Sequence, residues 1–388
     1  MTLSRRTLLA LGGGAMLATG AVAQSPLAIL ARFPNGTFLE NLVVEPGGRV
    51  IFTNYFAKRL ESWSPAGGHV PWAEVPAHPV SLTALDGGRH ALAVHGVSFM
   101  DGPQAMRGQA ALLVLAADGT VARRIALPEA VFPNGGLLLG GERLLLADSI
   151  VGRIWLVDLG TGEATTWLAH SSLAPDPAQP YPGANGMKRA GDWLLVSNSA
   201  TRQLLRVRLA GSQPQGAPEL LARMTGGVDD FAVARDGTIY ATRTGDFGPT
   251  GNPATWQVLR VALDGAVTVF AEGAPLRSPN GVALDPQGNV VVANSGDSAV
   301  VTFSPNGRVL RTEAAAQAGS DGLVIMPDGT KYVSSVSQGG VSRIRPGRPA
   351  ELIARNIPSA ASMCYDAGAN QLVIPMNEQN GLAFVKLR

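Results

Sequence analysis

Cysteine is almost missing: Cys364 is the single one among 388 residues, so no disulfide can close within the chain and the fold must stand on its core. Aromatic residues are scarce at 6%, whereas 47 Gly and 27 Pro supply what many tight turns require. Net charge is nearly absent as well. The formal value is +2 and falls to neutrality without Arg5 and Arg6, which leaves no electrostatic footprint for nucleic acid or an anionic membrane. His69, His78, His90 and His170 show no paired spacing, so there is no zinc motif. Neither a Gly-x-Ser-x-Gly elbow nor a phosphate-binding Gly loop is found, which argues against serine hydrolases and nucleotide enzymes. After the first twenty or so residues no stretch is apolar enough to cross a membrane, and none has a useful helical period.

The exception to the missing apolar runs is at the start. Ser4-Arg5-Arg6-Thr7-Leu8-Leu9 opens an apolar stretch to about Leu17 that is too short to span a bilayer, and Ala21-Val22-Ala23 offers a small-x-small cleavage site. This resembles a twin-arginine (Tat) export signal, with Leu8 where the motif usually has Phe. The expectation is a signal peptide at 1–23 and a periplasmic or secreted mature chain, 24–388, that forms one domain and has no further membrane contact.

What fills that domain is repetition. Val282-Ala283-Leu284 reads as a short strand, Asp285-Pro286-Gln287-Gly288 as a turn, and Val290-Val291-Val292-Ala293 as a β-branched second strand. Variants of this pattern begin near Glu40, Ser81, Asn134, Asn185, Asp229, Asn280, Asp321 and Ser362, about eight units at a period of roughly 40–50 residues. Most continue into two more strands, as in Arg153 to Val157 and Ala164 to Leu168 of the third unit. Four antiparallel strands per unit predict an all-β fold, a β-propeller of four-stranded blades. The last unit is one strand short, and Leu27 to Arg32 resembles Glu351-Leu352-Ile353-Ala354-Arg355, the outer strand of unit seven. The N-terminal strand is therefore expected to complete the final blade and close the ring.

In such a blade the start of strand one and the end of strand two share one face of the disc. Aligned on the turn glycine, the units place Glu40, Asn134, Asn185, Asp229, Asn280 and Asp321 at the first position, with Asp230 as the neighbour that could replace Asp229. They place Asn54, His95, Asp148, Asn198, Arg243, Asn294, Ser335 and Asn377 at the end of strand two. Two polar rings facing one channel mouth are expected. The first is rich in carboxylate and amide oxygen without His or Cys, which suits a hard divalent cation, Ca²⁺ before Mg²⁺ or Mn²⁺. Glu40 and Asp229 would neutralise it, and Asn134 and Asn185 would add neutral oxygens. The competing reading is that Asn-Gly and Asp-Gly are turn dipeptides before strands, although Glu40-Asn41 does not fit that pattern. His95 and Arg243 are candidates to hold or polarise a substrate carbonyl or anion. His95 precedes a long excursion, Val97 to Gln109, of a length that often lids a site.

The chain resembles the SMP-30/gluconolactonase/LRE family of calcium-dependent, lactonase-type propellers, which usually have six blades. Glu40-Asn41, Phe132-Pro133-Asn134-Gly135, Asn185-Gly186 and Val228-Asp229-Asp230-Phe231 carry the resemblance. It implies Glu40, Asn134, Asn185 and Asp229 as metal ligands, Asp229 also as general base or nucleophile, and a small lactone or ester as substrate. Ala130-Val131-Phe132 lacks the Arg often found before the third-unit Asn in sugar-lactone hydrolases, which points away from a sugar lactone. The alternative is a non-catalytic propeller that binds a small ligand or a protein at the same mouth.

Overall fold

The computed structural model describes residues 28–29, 33–34, 36–64, 66–178, 182–223, 228–245, 251–376 and 381–387. The expected leader at 1–23 and Asn377 lie outside them. No helix among the described residues is long and apolar enough to cross a membrane.

Eight four-stranded antiparallel sheets follow one another along the chain, so the propeller read from the repeat has eight blades rather than six. The first strands of the blades are Leu42–Val44, His78–Ala84, Pro133–Gly140, Ala184–Ala190, Val228–Val233, Pro279–Leu284, Ser320–Ile325 and Cys364–Asp366. Neighbouring sheets touch mainly through these strands, which places them innermost. Apolar residues of facing blades fill the seams, as where Ala93, Leu112, Leu146 and Trp155 meet between the second and third blades.

The ring closes as expected. Ala28–Ile29 pairs antiparallel with Gly381–Lys386, with Ala28 opposite Phe384 and Ile29 opposite Ala383, and gives the eighth sheet its fourth strand. That covers a sheet edge otherwise open to pairing with another chain. The seam beside it is packed by Trp63 stacked on Phe384, 3.5 Å between centroids and 6° from parallel, among Val50, Phe52, Val373 and Leu382.

Besides the second blade, where Val80 is the extra residue, five inner strands slip register near their start in one common way, between Pro133 and Gly136, Ala184 and Met187, Val228 and Phe231, Pro279 and Val282, and Ser320 and Leu323. At each slip two residues face one. The pairs are Asn134-Gly135, Asn185-Gly186, Asp229-Asp230, Asn280-Gly281 and Asp321-Gly322. These dipeptides are therefore β-bulges inside strands, not turns before them. Where the facing residue is Ser or Thr, its hydroxyl accepts the bulge N–H: Ser197 from Gly186 at 3.0 Å, Thr242 from Asp230 at 3.2 Å and Ser334 from Gly322 at 2.7 Å.

The glycines are there for close approach. A Cβ on Gly135 would lie 1.7 Å from the carbonyl oxygen of Asn185 in the next blade, and one on Gly281 2.2 Å from that of Asp321. Backbone oxygen cannot swing away as a rotamer can, so any side chain pushes two blades apart. Gly135→Ala is expected to lower stability by about 1–3 kcal/mol. A urea melt followed by circular dichroism measures it, and an unchanged midpoint would show that the contact is slack.

Candidate functional site

The segment leading into the first blade is pinned by Thr53, whose hydroxyl accepts the N–H groups of Glu40 at 3.2 Å and Asn41 at 3.0 Å. This repeats the hydroxyl-to-bulge contact of the fourth, fifth and seventh blades, so Glu40-Asn41 stands where those blades carry their bulge pair. Asn41 Oδ1 accepts the N–H of Leu82 in the second blade at 3.2 Å. Burial pushes the Glu40 carboxyl above its ordinary value, and the nearby Asn134 side chain of the third blade partly offsets the shift. Between them the second blade offers only buried Val80 at its bulge, with no side-chain oxygen. The Gly135–Asn185 contact places the fourth blade's bulge next in the ring. Three of the four expected ligand positions thus follow one another around the mouth.

The fourth is placed by its neighbour. Asp230 accepts the N–H of Val282 in the sixth blade at 3.0 Å through Oδ2, and that of Phe231 at 2.8 Å through Oδ1. It acts as Asn41 does, bonding to the next blade's backbone, so Asp229 rather than Asp230 matches Glu40 in register. The Asp229 backbone lies in Val228–Val233 and its side chain lies outside the described residues. Among the described residues no three His, Cys, Asp or Glu side chains gather where they could hold a metal ion. The expected set is of another kind, two carboxylates with two amides.

Of the second polar ring, Asn54, His95, Asp148, Asn198, Asn294 and Ser335 are buried, and several of them bond to backbone rather than standing free at the mouth. Asp148 accepts from Val131 N and Phe132 N, Asn198 donates to Ser172 O and Ala174 O, Asn294 to Pro275 O and Ser335 to Ala318 O. Each ties the end of strand two to the loop that brings the chain into its blade. His95, 1% exposed, belongs with them. Tyr55 Oη accepts the Phe99 N–H at 2.8 Å and so offers its proton to His95 Nδ1 at 3.2 Å, leaving Nε2–H to donate to Pro133 O at 3.3 Å. Both ring nitrogens are engaged across three blades. Arg243 donates from Nη1 to Gln257 Oε1 at 3.1 Å, on the third strand of its own blade. Neither residue is brought to Glu40 by these bonds.

The excursion after His95 packs down rather than standing free. Phe99, in the 3₁₀ turn Phe99–Asp101, lies 4.9 Å from Tyr55 and 5.2 Å from Phe38 between ring centroids, and Met106 of the short helix Gly102–Met106 is buried. Sequence reading missed a pocket of about 590 Å³ on the mouth side of the first and eighth blades. Phe38, Leu42, Phe52, Met376 and Leu382 line it beside Glu40.

A family model for the SMP-30/Gluconolactonase/LRE-like region matches residues 132–374, more than half of the chain. The chain belongs to this family. The match holds Asn134, Asn185, Asp229 and Arg243, whereas Glu40 and His95 sit in two blades that precede it. No curated protein sequence matches the chain. Among solved structures it is similar to the computationally designed Ika8 protein, with TM-score 0.56 at 10% identity over 94% of this chain and 100% of that one. The C-terminal WD40 domain of Sif2 gives 0.56 at 11% identity, over 94% and 99%. A catalytically inactive virginiamycin B lyase from Staphylococcus aureus with quinupristin gives 0.53 at 12%, also over 94% and 99%. At these identities the likeness is one of fold.

Burial lowers the His95 imidazole to about 4 from an ordinary 6.5. Between those values the unfolded chain takes up a proton that the folded one refuses. Stability therefore falls as pH drops through this window, by about 3 kcal/mol at its foot from this residue alone. Comparing urea midpoints of the wild type and His95→Gln from pH 7 to 4 tests this: the wild type is expected to lose stability more steeply. Parallel pH profiles would contradict it.

Proposed function

We propose that the protein is a metal-dependent hydrolase of a lactone or ester, acting at the channel mouth. The observation that carries the reading is the register of Glu40-Asn41, held by the Thr53 hydroxyl as the bulge pairs of the fourth, fifth and seventh blades are held, which sets a carboxylate at the position the repeat reserves for oxygen-bearing side chains. Family membership supports lactonase-type chemistry. The donors fit a hard cation such as Ca²⁺, with oxygen alone, a raised Glu40 carboxyl that a bound positive charge would ionise, and amides that add no charge. Glu40, Asn134, Asn185 and Asp229 would hold it. When bound, such an ion polarises the ester carbonyl and stabilises the negative charge that develops on its oxygen. Asp229 takes the proton of the attacking water, Asn134 keeps Glu40 oriented, and Asn41 and Asp230 fix the blades on which the two carboxylates stand.

The rival reading is a non-catalytic propeller that binds its ligand at this mouth. It is favoured by His95 and Arg243, which are both engaged with the protein itself. Hydrolysis of a lactone and ester panel decides between them. Turnover is expected to be abolished by a chelator, restored by Ca²⁺ and reduced at least about a hundredfold in Asp229→Asn. Chelator-resistant turnover unchanged in Asp229→Asn would remove this site, and a panel without turnover would favour the binder. The enzyme is proposed to work in the periplasm after Tat export. Replacing Arg5 and Arg6 with Lys should leave it unprocessed in the cytoplasm, and normal processing would contradict the Tat route.

A further inference from the structure

The pocket beside Glu40 has a cause in the backbone. Six of the eight inner strands run six to eight residues, but the two that meet at ring closure, Leu42–Val44 and Cys364–Asp366, have three each. In the eighth blade a single bridge, Ala360 to Met376, and the bond from Ala361 N to Pro375 O at 3.1 Å replace a continuous strand on the mouth side. Elsewhere the inner strands cover the seam between blades; here the cover stops short. The seam core is laid open with Phe52 and Leu382 at its floor, while Leu42 and Phe38 stand at the wall, 39% and 37% exposed.

Among the described residues that line this pocket, Glu40, Asn41 and Thr37 carry the hydrogen-bonding side chains, and the Asn41 Oδ1 is taken by the Leu82 N–H. An alkyl or aryl group placed here packs against Phe38, Leu42, Phe52, Met376 and Leu382. The volume is that of an ordinary small-molecule site, and Glu40 is among the residues that line it. We infer that the closure seam is a specificity pocket for an apolar substituent on the substrate, which makes the preferred substrate a lactone or ester bearing a long alkyl or aryl chain. The inference rests on the hydrolase reading for what happens to the ester group, and on the pocket alone for what binds.

Two series of probes separate these. γ-Lactones from γ-butyrolactone to γ-dodecalactone report turnover, and the matching γ-lactams, which resist hydrolysis, report binding by calorimetry. Lactam Kd is expected to tighten about threefold to fourfold per methylene until the pocket is filled, with kcat/KM of the lactones rising in step. Leu42→Gln should flatten the dependence. Leu310→Gln, at a similarly exposed leucine (43%) on the outer strand of the sixth blade, should keep it. Lactams that bind with this slope while no lactone is turned over would sink the hydrolase and leave the pocket standing. Lactones hydrolysed at rates independent of chain length, no lactam binding at all, or a slope that survives Leu42→Gln would each overturn the pocket.

Discussion

Neighbouring inner strands touch backbone to backbone, and the rest of the site depends on that approach. At Gly135 and Gly281 the next blade's carbonyl occupies the space where a Cβ would stand. In the first and fifth blades a side chain, Asn41 or Asp230, reaches the next blade's N–H instead. Both arrangements hold neighbouring bulges against one another around the ring.

Two sets of hydrogen bonds keep the ring rigid. Hydroxyls of Thr53, Ser197, Thr242 and Ser334 hold the bulges from behind, and those of Thr242 and Ser334 also donate across to Asn280 O and Ala361 O of the following blades. Farther out, Asp148, Asn198, Asn294 and Ser335 anchor the loops entering the third, fourth, sixth and seventh blades, and His95 bridges Tyr55 and Pro133. Such buried polar groups stabilise most when fully partnered. A neutral His95 between Tyr55 and Pro133 meets that condition, and its lowered basicity follows from the same burial.

Much of this was legible in the chain. The recurring order of polar residue, short apolar run, Gly turn and second apolar run gave the blade count, and the kinship of Leu27 to Arg32 with Glu351 to Arg355 gave the closure, because each reflects a local pattern repeated along the chain. The second ring misled for a physical reason: a polar residue ending a strand looks the same whether it faces a channel or an incoming loop. Only packing distinguishes Asp148 on Val131 N–H from a ligand at the mouth. The Tyr55–His95–Pro133 chain joins residues about 40 apart and carries no local signature. The pocket arises from strands that end early at the closure, and a shortened strand leaves little trace in an apolar pattern.

The central claim is that eight blades bring oxygen donors from the first, third, fourth and fifth onto one point. Anomalous diffraction from crystals of the mature protein soaked in Ca²⁺ or a lanthanide tests it most directly. One cation is predicted, with oxygens of Glu40, Asn134, Asn185 and Asp229 within about 2.3–2.6 Å for Ca²⁺. A cation bound elsewhere, or those four side chains too far apart to share one, would contradict it.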